Sequence, residues 1–177
     1  MTAGKHSIAP TAAEFHRAIL ARGDRWYSAC LRITRDAQMA EDAVQDALLS
    51  AWRMREQFQA SAKLDTWIHR IAINSALQLL RKRRPERSLP IDTETLVSED
   101  TPEADLAERE LLAGLTHAMI NLSDAERICF VLKHLEQWRL KEIAAELDMT
   151  IGTVKQALFR AVRKIRSTMP DLRRQQC

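Results

Sequence analysis

Between about Arg84 and Asp100 the chain loses its apolar periodicity. The stretch RPERSLPIDTETLVSEDTPEADLAERE carries Pro85, Pro90 and Pro102 and is dense in carboxylates. Proline has no N–H to give a ladder and clashes with the preceding turn of a helix, so regular structure does not run through such a segment. One continuous core across all 177 residues is therefore disfavoured. The expected organisation is an N-terminal domain over 11–84, an acidic linker over 85–100 and a C-terminal domain over 101–170. Thr101-Pro102 reads as an N-cap followed by proline in the first helical position. An ordinary surface loop inside one domain is the competing reading.

The charge follows the same division. The formal net charge of +3 says little. Residues 61–85, however, hold six basic groups against one acidic, residues 86–111 two against nine, and residues 112–177 eleven against seven. Two basic blocks are thus separated by one acidic block.

On both sides of the linker the apolar residues recur with helical spacing. The spacing predicts one or two helices over Thr11–Thr34, with a possible break at Gly23-Asp24. A helix over Ala37–Arg55 follows, capped by Asp36, and then one over Leu64–Arg83. In the C-terminal part, helices are expected over Pro102–Ile120, from Ser123 to about Leu135, over Leu140–Leu147 and over Ile151–Met169. Ser123-Asp124-Ala125-Glu126 has the capping-box pattern. Aromatics are 5% of the chain, there are only 4 glycines, and no Asn-Gly or Asp-Gly hairpin turn occurs. The fold class is all-α, with two small helical domains joined by an acidic linker.

Enzymatic chemistry finds little support. There is no glycine-rich phosphate loop and no HExxH pair, and Cys30, Cys129 and Cys177 match no metal-ligand spacing. Two buried core thiols and one terminal thiol are the expected reading, with no metal and no cofactor. No apolar run is long enough to span a bilayer. The first twenty residues, with Lys5, His6, Glu14, His16 and Arg17, do not resemble a signal peptide. A cytoplasmic, non-catalytic protein without membrane insertion is expected.

The run LKEIAAELDMTIGTVKQALFRAVRKIR is the most informative in the chain. A short helix ends at Leu147, Asp148-Met149-Thr150 turn the chain, and a longer basic helix follows, with Thr150 able to cap it. At about 100° per residue, Val154, Leu158, Ala161, Val162 and Ile165 share one arc, the expected buried face. Gln156, Phe159 and Arg163 point the other way, flanked by Lys155, Arg160 and Arg166. A helix-turn-helix with amide, guanidinium and aromatic groups opposite its dry face suits the major groove.

In KLDTWIHRIAINSALQLLRKRR, Leu64, Ile68, Ile71, Ala72, Ser75 and Leu79 form the expected core arc. Lys63, Trp67, Arg70, Asn74, Gln78 and Arg81 share another. An aromatic interleaved with cations and amides is what single-stranded nucleic acid requires: bases stack and phosphates pair. Packing of Trp67 against a neighbouring helix is the alternative. In DAQMAEDAVQDALLSAWRMR the core arc is Ala40, Val44, Ala47, Leu48, Ala51 and Trp52. Leu49 points away, among Asp42, Gln45, Asp46 and Arg53. A lone exposed leucine is ordinary, and composition by itself makes nothing more of it.

AEDAVQDALLSAW, TWIHRIAIN, the linker, and LSDAERICFVLKHLEQWRLKEIAAELDMTIGTVKQALFRAVRKIR together resemble an extracytoplasmic-function (ECF) sigma factor, over about Ala12 to Met169. The resemblance implies an alternative sigma factor that binds core RNA polymerase, through the β′ coiled coil and the β flap, and directs initiation at chosen promoters. It places Glu41, Asp42, Gln45, Asp46 and Leu49 on the β′-docking helix, which gives Leu49 a role. It assigns −10 recognition to the loop Ala60–Asp65 and the Trp67, Arg70 and Asn74 face, with Lys63, Gln78 and Arg81 on the same stripe. It assigns −35 recognition to Thr150, Thr153, Lys155, Gln156, Phe159, Arg160 and Arg163, and sets the acidic linker toward the RNA exit path. Promoter DNA is then a partner, and an anti-sigma factor stays open as another. Three departures stand out. Asp65 replaces a basic residue beside the single strand, Gln156-Ala157 replaces Ser-Arg, and Ser123 replaces a proline. A one-component helix-turn-helix regulator is the alternative function, and the AEDAVQD helix argues against it.

Overall fold

The computed structural model describes residues 9–59, 62–83, 114–115 and 117–168. The linker 85–100, the Thr101-Pro102 cap, most of the helix expected over Pro102–Ile120, and Cys177 lie outside these residues. The described residues are helical and include no strand. The chain splits into two compact units, Met1–Thr95 and Leu96–Cys177.

The first unit is a three-helix bundle in which every helix contacts the other two: α1 (Ala12–Thr34), α2 (Ala37–Arg53) and α3 (Leu64–Arg83). Thr11 and Glu14 cap α1 reciprocally. The Thr11 N–H donates to Glu14 Oε2 at 2.8 Å and the Glu14 N–H to Thr11 Oγ1 at 3.3 Å. The helix runs through Gly23 without a break. Gly23 keeps a negative φ, and a glycine in helical conformation weakens a helix without ending it. Trp26, Ala29, Cys30 and Ile33, at helical spacing, bury the stripe that holds the second half down.

Arg35, in the left-handed region at φ 55°, closes α1 through its N–H to Leu31 O at 2.8 Å. Asp36 then caps α2, accepting from the Met39 N–H at 3.0 Å, as the sequence predicts. The Arg83 guanidinium at the end of α3 reaches back to Asp36 and to the Met39 sulfur. The Met39 N–H and the Arg83 guanidinium hold the Asp36 carboxyl below its usual range, against the opposing effect of burial. A lowered folded-state pKa stabilises the fold at neutral pH and loses that effect as pH falls from about 3.8 through the depressed value. Asp36→Ala is therefore expected to cost about 1 kcal/mol at pH 7. In denaturant titrations its deficit against wild type should narrow below pH 4.

Packing around α2 and α3 differs from the arcs drawn on the sequence. Ala40, Ala43, Ala47 and Ala51 form the buried stripe of α2, with Val44 and Leu48 half-buried. Trp52, expected in the core, is 39% exposed. Its ring meets Phe15 edge-on at 5.2 Å and carries the Arg55 guanidinium 4.4 Å above it. On α3, Ile68, Ala72, Ile73, Ala76 and Leu77 are buried, while Leu64, Ile71, Ser75 and Leu79 are only half-buried. Because α3 packs on both α1 and α2, its buried arc is turned and widened toward Ile73 and Leu77. Cys30 is buried, its thiol donating to Ala72 O at 3.5 Å.

In the second unit a 3-10 turn, Met119–Asn121, precedes α4 (Asp124–Phe130). The Ser123–Glu126 capping box forms, with the Ser123 N–H donating to Glu126 Oε2 at 3.0 Å. A π-helical turn, Val131–Leu135, extends α4. The chain then reverses through Gln137 at φ 58°, and the Trp138 N–H donates to Leu132 O at 2.8 Å. Next come α5 (Leu140–Glu146) and α6 (Ile151–Thr168), joined by a turn in which Asp148 is left-handed at φ 52°. Thr150 caps α6, accepting from the Thr153 N–H at 3.1 Å. Ile128, Cys129, Val131, Leu132, Ile143, Val154, Ala161 and Ile165 make the core. Burial pushes the Cys129 thiol up to about 11, which leaves it inert at neutral pH.

Candidate polymerase-docking and nucleic-acid faces

Three helix faces are left uncovered by the two small cores. On α2, Glu41, Asp42, Gln45, Asp46 and Leu49 are all exposed. The alanine stripe occupies the opposite side, so these residues have no place in the bundle interior. Leu49 is 55% exposed. Trp52, one turn further on, adds a second apolar surface beside it. The helical arc missed Trp52 because an arc cannot tell how far the neighbouring helix extends over a ring. The i,i+3 spacing of Leu49 and Trp52 was the available signal. An apolar centre with a polar rim is the usual anatomy of a docking surface.

On α3, Lys63, Arg70, Gln78 and Arg81 are exposed, while Trp67 and Asn74 are half-buried along the inner edge of the same stripe. Trp67 lies against Phe58 at 5.2 Å between ring centroids, so packing and presentation are combined in one side chain. The Asn74 Oδ1 is buried and has no hydrogen-bond partner among the described residues. Desolvating such an atom is costly. Part of the Ala60–Asp65 loop, residues 60 and 61, lies outside the described residues. Asp65 stands 3.6 Å from Arg22 Nε on α1 and accepts from the Thr66 N–H at 2.9 Å. Its charge is thus partly matched within the bundle.

On α6, Thr150, Thr153, Lys155, Gln156, Phe159, Arg160 and Arg163 are all exposed, Phe159 to 69%. Thr150 and Thr153 spend part of their hydrogen-bonding capacity on each other, 2.9 Å apart. Ala157 joins Val154, Ala161 and Ile165 in the buried stripe, and Leu158 and Val162 are half-buried at its margin. Of the Gln156-Ala157 departure, then, only Gln156 is on the surface. Ala157 has no access to a base, because α6 packs on both α4 and α5.

Glu126 was visible in the sequence only as a cap. In the fold its buried carboxylate also meets Lys164 Nζ at 2.7 Å and Arg160 Nε at 3.5 Å. Burial raises its pKa, but the hydrogen bonds from Lys164 and the Ser123 N–H and the Lys164 charge outweigh that and hold it below its ordinary value. Among the described residues no group of three or more His, Cys, Asp and Glu side chains is placed to hold a metal ion. No described helix is long and apolar enough to cross a membrane.

The chain is similar to known proteins in both units. Sigma-70 region 2 matches residues 19–86 and Sigma-70, region 4 matches residues 112–165. The ECF RNA polymerase sigma-E factor of Haemophilus influenzae is 32% identical over 141 residues, 74% of this chain and 75% of that protein. The RNA polymerase sigma-H factor of Pseudomonas aeruginosa is 30% identical over 155 residues, covering 82% and 80%. The ECF RNA polymerase sigma factor SigW of Bacillus subtilis is 28% identical over 159 residues, covering 84% and 85%. Among solved structures, the sigma factor RpoE in complex with the anti-sigma factor NepR from Bartonella quintana superposes with a TM-score of 0.62 at 21% identity, over 90% of this chain and 98% of that one. With both regions in order and relatives of this coverage, the chain belongs to the ECF sigma factors of the sigma-70 family.

Proposed function

We propose that this sigma factor joins core RNA polymerase through the Glu41, Asp42, Gln45, Asp46 and Leu49 face of α2, with Trp52 extending the apolar patch. Melted −10 DNA is received along α3 by Lys63, Trp67, Arg70, Asn74, Gln78 and Arg81. The −35 duplex is read by α6. The domains would run over 11–84 and 101–170, with 85–100 as the connecting segment. The protein is an initiation factor working in the cytoplasm beside the polymerase, which performs the catalysis, and an anti-sigma factor fits as a regulator.

The observation that carries this reading is the exposed Leu49 among carboxylates on a helix whose other side is fully packed. A free-standing regulator has no use for such a face. Co-purification with core polymerase, followed by transcription from a promoter library, tests it. A chain that never travels with the polymerase yet binds duplex DNA alone would support the regulator instead.

Within α6 the side chains divide by what they reach. Phosphate contacts position a protein, and base contacts specify sequence. Lys155→Ala is expected to weaken binding about equally on all promoters and to reduce the salt slope by roughly one. Gln156→Ala or Arg163→Ala should cost about 1–3 kcal/mol on the preferred −35 element and relax choice at one base. Selection of a saturated −35 library with each variant checks this. Unchanged preferences in both would remove base reading from those positions.

A further inference from the structure

The capping role of Glu126 does not account for its surroundings. A capping glutamate needs only the backbone N–H it accepts from, and commonly does so in water. Here the side chain is 7% exposed and sits between α4 and α6. Its Oε2 accepts from Lys164 Nζ at 2.7 Å as well as from the Ser123 N–H at 3.0 Å, and Oε1 lies 3.5 Å from Arg160 Nε. Burying a carboxylate is costly unless cations and donors compensate. The compensation comes from two cations one turn apart on the recognition helix.

Those two cations differ in what they have left to offer. Lys164 Nζ is shared between the carboxylate and Asn121 O, at 3.4 Å, so two of its three N–H donors are directed into the unit. Arg160 approaches through Nε and its side chain is 59% exposed. A guanidinium held at Nε still has the four N–H groups of its two terminal nitrogens to donate. An ion pair that favours one rotamer of Arg160 would leave less freedom to lose when the side chain meets DNA.

We propose that Glu126 is a positioning residue for Arg160: the buried carboxylate orients the guanidinium on the DNA-facing side of α6 and so contributes to −35 base preference. This rests on the reading of α6 as the −35 helix. The proposal predicts an effect opposite to simple electrostatics. Removing a negative charge from a DNA-binding face should tighten binding to any duplex. Removing a positioning group should lower discrimination.

The test uses holoenzyme reconstituted from the full chain and core RNA polymerase, on promoters with a preferred or a scrambled −35 element. Glu126→Gln keeps the side-chain length and an acceptor for the Ser123 N–H while removing the charge. Its preferred-to-scrambled binding ratio is expected to fall about fivefold, with binding to the scrambled element unchanged or tighter. In an Arg160→Ala background the same substitution should leave the ratio unchanged. Lys164→Met loosens the same α4–α6 contact without touching Arg160, and is expected to keep the wild-type preference. Equal loss of preference in Lys164→Met would overturn the proposal, because helix docking would then explain the effect. An unchanged ratio in Glu126→Gln, where Arg160→Ala lowers it, overturns the positioning role alone. An unchanged ratio in both overturns it together with Arg160 as a reader.

Discussion

Leu49→Asp is expected to abolish stable capture of core RNA polymerase while the chain keeps its fold. Leu49 is 55% exposed and contributes little to the bundle interior, so its replacement should change stability by no more than about 0.5 kcal/mol. At the polymerase surface the substitution has two effects. It deletes the apolar centre of the patch, and it adds a carboxylate next to Gln45 and Asp46 that must be desolvated on docking. Loss of a central contact costs about 2 kcal/mol or more, which is roughly 30-fold in affinity. Leu20 supplies the control. At 75% exposed it is the more accessible leucine, but it lies on α1 and not on the α2 face, and Leu20→Asp is expected to bind core normally. A pull-down with matched melting curves decides the matter. Equal capture of wild type and Leu49→Asp would sink the docking assignment.

The second large effect is expected in promoter opening. Trp67→Ala and Asn74→Ala should impair melting of the −10 element more than duplex binding. Stacking of one base on an aromatic ring is worth about 1–3 kcal/mol. Trp67→Ala also removes the contact with Phe58, so part of its effect will appear as lost stability. Asn74→Ala is the cleaner probe. It deletes a buried oxygen that has no partner among the described residues, so its melting temperature should hold or rise while opening suffers. Permanganate reactivity of the −10 thymines, read beside thermal melts, separates the two contributions. Normal reactivity in both variants would remove the α3 stripe from strand capture.

Much of this architecture is legible in the sequence, and the legible part has a common character. The bounds of α3, the Asp36 cap, the Ser123–Glu126 box and the turn before α6 all appear where the residues imply. Each is set by contacts between residues at most four apart, so the sequence window contains the whole interaction. The exposure of Leu49, Gln156 and Phe159 was legible for a related reason. Each lies opposite a strongly apolar stripe, and no rotation of the helix brings both sides inside.

What the chain determined by itself, then, is its helices, their caps and their polar faces, because backbone hydrogen bonding and 3.6-residue periodicity act locally. The tertiary structure alone decided how far each buried arc extends and which charges meet. Trp52 stays partly at the surface, in a T-shaped contact with Phe15. Ile73 and Leu77 turn inward because α3 has two neighbours, and Ala157 is buried on a helix that packs on both α4 and α5. Asp65 finds Arg22, and Glu126 finds Arg160 and Lys164, across sequence separations of 34 residues and more. Such pairs depend on where a second helix lies around the axis of the first. That placement is settled by packing all the apolar stripes of a unit at once, and no single stretch of sequence contains it.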